Sequence, residues 1–166
     1  MAEVVTGWMF YYDDWKHEPI IKIKSGEVRE LLKTDDKMVS LADFISPTEG
    51  YLLDGAMKRL MQGDASVTDA KGVQQADEKF QIATMVATGS AIKIFPVRYK
   101  GQLLWYSQVS QDLPQDIDEN KWIFVNKGLN YLNELVVKHD WENCAKFIDK
   151  FKEYQRKEAG ADLPSD

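Results

Sequence analysis

The sequence predicts an α+β domain that is mainly helical, with a C-terminal antiparallel helix hairpin and a small sheet of two or three strands. Three observations carry that expectation. The last third repeats apolar residues at spacings of three and four: Trp122, Val125, Leu129, Leu132 and Val136, then Cys144, Phe147, Ile148, Phe151 and Tyr154. That is the period of helices with one buried face. Only His139 and Asp140 separate the two runs, so the helices must double back on each other. Two short stretches rich in β-branched residues, 20–24 and 92–97, each adjoin or contain a proline (Pro19, Pro96) and read as short strands.

The remaining elements follow in chain order. Val4, Val5, Trp8, Met9 and Tyr12 space as one helical face over 3–12, broken by Asp13 and Asp14. After the strand at 20–24, Ser25 is the N-cap of a helix running to about Lys33, with Val28, Leu31 and Leu32 inward. Met38 to Phe44 is ambiguous, with Ser40 able to cap a short helical turn. Ser46, Pro47 and Gly50 mark a loop. A helix is expected over 51–61, with Leu53, Met57, Leu60 and Met61 toward the core. The polar segment 62–72 reads as a mobile linker inside a single domain, 1–166. The helix over 74–88 becomes apolar nearly all round at Ile82, Met85, Val86 and Ala87, which places it mid-core. Gly89 ends it, and Lys100-Gly101 turns 92–97 into a third strand at 103–106. The strands at 20–23 and 92–97 are expected to pair. The hairpin of 121–138 and 141–156 is expected to pack on the 74–88 helix, started by Asp116 or Asp118 and by Asp140.

Composition narrows the function. The chain has 166 residues, 44% hydrophobic and 29% charged, so it can bury a core without metal or disulfide staples. Its net charge is −6. The most basic stretch, Lys146, Lys150, Lys152, Arg156 and Lys157, is interrupted by Asp149, Glu153 and Glu158 and reads as a solvated helix face. No basic stripe exists to neutralise phosphates, so no nucleic-acid partner is expected. No stretch approaches ~20 apolar residues. The opening Met1-Ala2 and the close at Leu163-Pro164-Ser165-Asp166 read as the ends of a piece cut from a larger protein.

Chemistry-bearing groups are sparse. Two histidines and one cysteine rule out a His- or Cys-rich metal site. Asp13, Asp14 and His17 read as a polar helix end, and Asp112, Asp116, Asp118 and Glu119 as complements to the following helix dipole. Cys144 lies in an apolar helical pattern and reads as a small core residue. No nucleophile elbow, phosphate cradle or singled-out carboxylate pair occurs, so no catalytic residue and no resident cofactor are expected. The dense aromatic cluster Trp8, Phe10, Tyr11, Tyr12 and Trp15 fits a packing edge. It also fits a groove for an apolar ligand, which would make the chain a free-standing ligand-binding or sensor domain.

Several segments in order resemble one family. They are Trp15-Lys16-His17-Glu18-Pro19-Ile20-Ile21-Lys22-Ile23, Val39-Ser40-Leu41-Ala42-Asp43-Phe44, Gly50-Tyr51-Leu52-Leu53, Ala76-Asp77-Glu78-Lys79-Phe80, Ala91-Ile92-Lys93-Ile94-Phe95-Pro96 and Trp105-Tyr106-Ser107. Their order is similar to the extracytoplasmic region of the fused cytochrome c synthases of the system II pathway, which join ResB-like and CcsA-like parts. The resemblance implies a periplasmic domain of an integral membrane protein that assembles cytochrome c. Its partners would be the membrane domain of the same parent, apocytochrome c and haem. The family's membrane histidines and Trp-rich haem segment have no counterpart here, so no catalytic residue carries over. What the resemblance leaves is docking, with transient haem contact to which Trp8, Trp15 and His17 could contribute, and no tightly bound cofactor.

Overall fold

The computed structural model describes residues 2–163. Met1 and Pro164 to Asp166, on which part of the excised-piece reading rests, lie outside them. The fold is α+β and mainly helical: seven α-helices and three two-stranded antiparallel sheets among the described residues. Contacts group it into two compact units, Met1–Ala87 and Thr88–Asp166.

The first unit opens with α1 (Ala2–Phe10) and α2 (Tyr12–Trp15), parted by the non-helical backbone of Tyr11. The short strand β1 (Ile21–Lys22) leads to α3 (Gly26–Leu31), whose N-cap Ser25 accepts from the Val28 N–H at 3.3 Å. Next come β2 (Met38–Val39), a 3-10 turn at Ala42–Phe44, β3 (Ile45–Ser46), β4 (Gly50–Tyr51), α4 (Asp54–Met61) and α5 (Ala70–Ala87). The 62–72 segment is tied down rather than left as a plain linker. Val67 is buried, Glu27 accepts from the N–H groups of Thr68 and Asp69 and from the Thr68 hydroxyl, and residues 70–72 belong to α5.

β1 pairs with β2, Ile21 opposite Val39, and not with the 92–97 segment. Sequence pattern identifies a strand but leaves its partner to tertiary contacts, and here the nearer segment wins. The core of this unit is largely aliphatic: Ile23, Val28, Val39, Leu41, Phe44, Leu53 and Val73 are all nearly inaccessible. Three expected core residues face outward. Met61, at the last turn of α4, is 81% exposed, and Ile82 and Met85 lie on the outer side of α5. The buried face of α5 instead runs through Val73, Ala76, Asp77 and Ala83, against α1, α3 and α4.

The second unit is a β-hairpin closed by a helix hairpin. β5 (Phe95–Tyr99) and β6 (Gln102–Tyr106) pair from Tyr99–Gln102 back to Phe95–Tyr106. Lys100 and Gly101 both have positive φ, +48° and +82°, the two-residue turn whose twist suits such a hairpin. α6 (Glu119–Val137) starts on Asp118, which accepts from the N–H groups of Asn120 and Lys121. α7 (Trp141–Ala159) starts on Asp140, after His139 at φ +55°. Phe124 meets Phe151 and Tyr154 while Tyr131 meets Phe147, the crossed order of an antiparallel pair. The helix hairpin covers β5 and β6, with Phe95, Val97, Tyr106 and Val125 at the centre. Within this unit β5 supplies the apolar surface that α7 needs. Gly128 allows the close crossing, since a Cβ there would press on Phe147. Of the expected inner stripe, Trp122, Val136 and Ile148 are exposed, and Leu135 takes a buried place instead.

One side chain enters the middle of α6. The Gln108 carbonyl accepts from the backbone N–H of Leu129 (2.9 Å) and Asn130 (3.2 Å), and its amide donates to Asn130 Oδ1 (2.9 Å).

Candidate docking surfaces

Trp8 and Trp15 do come together, as packing. Trp8 is 7% exposed and its indole N–H donates to the Trp15 carbonyl at 3.3 Å. The Trp15 ring lies directly on Gly7, where any side chain would collide with it. The α1–α2 break at Tyr11 is what folds Trp15 back onto α1. His17 follows in an exposed turn, and Lys16 beside it pairs with Asp13 at 2.6 Å. That hydrogen bond and charge hold the Asp13 carboxyl below its usual range. Tyr11 and Tyr12 project outward. Among the described residues no group of three His, Cys, Asp or Glu side chains could hold a metal ion, and no helix is long and apolar enough to cross a membrane.

Segments 15–23, 39–44, 50–53 and 76–80 converge. Ile21 sits opposite Val39 across β1–β2. Phe80 packs on Phe44, with ring centroids 5.1 Å apart, and stacks on Tyr51 at 4.5 Å. The Tyr51 hydroxyl donates to the buried Asp77 at 2.7 Å, whose other oxygen accepts from Gln81 at 2.6 Å. Burial first, then the Asp77 hydrogen bond and charge, keep the Tyr51 hydroxyl protonated far above its ordinary range. This is a satisfied framework, with every oxygen of the buried carboxylate partnered.

Function-capable surface lies elsewhere. A groove of about 670 Å³ runs between the start of α6 and the end of α7, floored by Phe124 and Tyr154 and rimmed by Lys121, Lys150 and Lys157. At its end Glu158, 5% exposed, receives Lys121 Nζ at 2.6 Å and the Arg98 N–H at 3.1 Å. Burial alone would raise the Glu158 carboxyl, but the Lys121 and Arg98 hydrogen bonds and the Lys121 charge outweigh it and hold the group below its usual range. Sequence reading placed Glu158 on a solvated face. The missed signal is spacing, because 144, 147, 151, 154 and 158 continue one inner stripe.

A second groove, about 470 Å³, is lined without any charged group by Val109, Leu113, Pro114, Trp122 and Asn126, among others. Trp122 is 46% and Trp141 59% exposed, each at the first turn of its helix. Such half-exposed indoles are common anchors of protein interfaces. No family model and no curated protein matches this chain.

Proposed function

We propose that the chain is a non-catalytic, extracytoplasmic part of a membrane-bound cytochrome c assembly protein of the kind its sequence resembles, where it docks apocytochrome c or haem beside a membrane part of the same parent. The observation that carries this reading is the division of labour along the chain. The resembling segments 15–23, 39–44, 50–53 and 76–80 meet in one satisfied framework, Ile21 with Val39 and Tyr51 with Phe80 and Asp77. The exposed indoles Trp122 and Trp141 lie outside those segments. A scaffold that presents half-exposed aromatic anchors suits binding of a partner better than chemistry on a substrate.

The test is made in the intact parent protein, in cells that depend on it for cytochrome c. Trp122→Ala with Trp141→Ala should lower the yield of haem-stained cytochrome c several-fold at an unchanged level of the parent protein. An unchanged yield would overturn the docking role of these side chains. The chain alone should not hold haem by axial ligation, because its two histidines lie in unspecialised turns and its net charge of −6 opposes the haem propionates. Titration with haemin should therefore give no sharp Soret shift. A saturable shift that His17→Ala abolishes would make the chain a haem carrier in its own right.

A further inference from the structure

The two outer edges of the β5–β6 hairpin are treated differently. In an antiparallel pair, alternate residues turn their N–H and C=O away from the partner strand. On β5 these are residues 96 and 98, continued by Ile94 just before the strand, and α7 side chains meet all three. The Gln155 amide donates to the Ile94 carbonyl (2.9 Å), the Tyr154 hydroxyl donates to the Pro96 carbonyl (2.6 Å), and Glu158 accepts from the Arg98 N–H (3.1 Å). Pro96 has no N–H to leave open at that edge. On β6 the corresponding residues are Leu103 and Trp105, and among the described residues no hydrogen bond reaches their outward backbone groups. β6 also lacks the usual guards of an open edge: it holds no proline, and residues 102–111 hold no charge.

We infer that the β6 edge is an interface between two copies of this chain, joined by antiparallel pairing of β6 with β6 into a four-stranded sheet. The edge is complementary to itself in one register. Placing Leu103 of one copy opposite Trp105 of the other lets both outward-facing residues of each strand exchange N–H and C=O bonds. The same register sets Leu104, 45% exposed, opposite Leu104 of the second copy, so an exposed apolar side chain gains an apolar neighbour. The uncharged run brings no like charges into opposition, although each copy carries a net −6. The contact is closed and two-fold, and it consumes the edge. It stands independently of the docking function proposed above.

The experiment uses the full 166-residue chain. Sedimentation equilibrium should show a concentration-dependent dimer below about 1 mM. Leu104→Lys should return the chain to monomer with an unchanged circular dichroism spectrum. In a Cys144→Ala background, Leu104→Cys should oxidise to a disulfide dimer. Gln102→Cys should not, because the register separates its two copies by roughly 13 Å along the strand, beyond disulfide reach. A chain monomeric to about 1 mM, a dimer that survives Leu104→Lys, or equal cross-linking at both positions would each overturn the inference. A monomer that binds an added peptide copying residues 101–107 would also overturn it and assign the edge to a foreign strand. Should Leu104→Lys fail to fold, the cysteine pair still decides.

Discussion

The first unit is held largely by aliphatic packing around short ladders, beside one ring group at Phe44, Phe80 and Tyr51; the second is held by aromatic rings and polar clamps around one hairpin. In the first, β1–β2 and β3–β4 contribute two residue pairs each, and the core is filled by Ile23, Val28, Leu41, Leu53 and Val73. In the second, β5–β6 contributes five pairs, and Phe95 sits among Phe124 (5.9 Å) and Phe151 (5.3 Å), both near edge-on. The difference teaches how each tolerates damage. Many small aliphatic contacts spread a loss over neighbours that can relax. A ring at the hub of several others, gripped by a helix whose polar side chains hold a strand edge, concentrates it.

The comparison can be broken most sharply at the two centres. Phe95→Ala should cost about 3–5 kcal/mol, and hydrogen exchange should show lost protection in β5, β6 and α7 while β1, α3 and α5 keep theirs. Leu53→Ala should cost about 2–5 kcal/mol, with the opposite pattern. Uniform loss throughout the chain in both variants would mean that the units unfold as one and that the contrast has no energetic meaning.

Next in size is Glu158. Removing its carboxylate in Glu158→Ala strips a partner from Lys121 and from the Arg98 N–H and should cost about 1–3 kcal/mol. The sign of its pH dependence follows from its lowered folded-state pKa. The stabilisation is fully present above the unfolded carboxyl value of about 4.3 and is lost as pH falls through the lower folded value. Denaturant titrations from pH 6 to pH 3 should therefore show wild type losing more stability on acidification than Glu158→Gln. Equal losses would show that the clamp does not discriminate the charged form. Smallest is Met61→Ala, expected within about 0.5 kcal/mol of wild type because the side chain is almost wholly in solvent. A larger loss, read from the same titrations, would show that the outward face of α4 is covered in solution.

What the sequence makes legible is local. Ser25 and Asp140 cap the helices that follow them, Asp118 rather than Asp116 caps α6, and Lys100-Gly101 turns the hairpin, because each rests on hydrogen bonds or φ values within a few residues. Strand partners were not legible. Residues 20–23 and 92–97 both look like strands, but pattern cannot say that Ile21 meets Val39 and Phe95 meets Tyr106. Which apolar side chains stay outside was equally hidden, since Met61, Ile82 and Trp122 satisfy helical spacing as well as buried residues do. Trp8 and Trp15 are adjacent, as the dense aromatic pattern suggests. Their role in packing shows only once the backbone break at Tyr11 is known.

The Gln108 side chain ties the loop after β6 to the middle of α6 rather than to its end. Helices ordinarily fray from their termini, where backbone groups lack partners. Here the N–H groups of Leu129 and Asn130 are shared with a loop residue at the helix waist. The 107–110 loop therefore bears on α6 at its centre, with complete helical turns on either side of the contact.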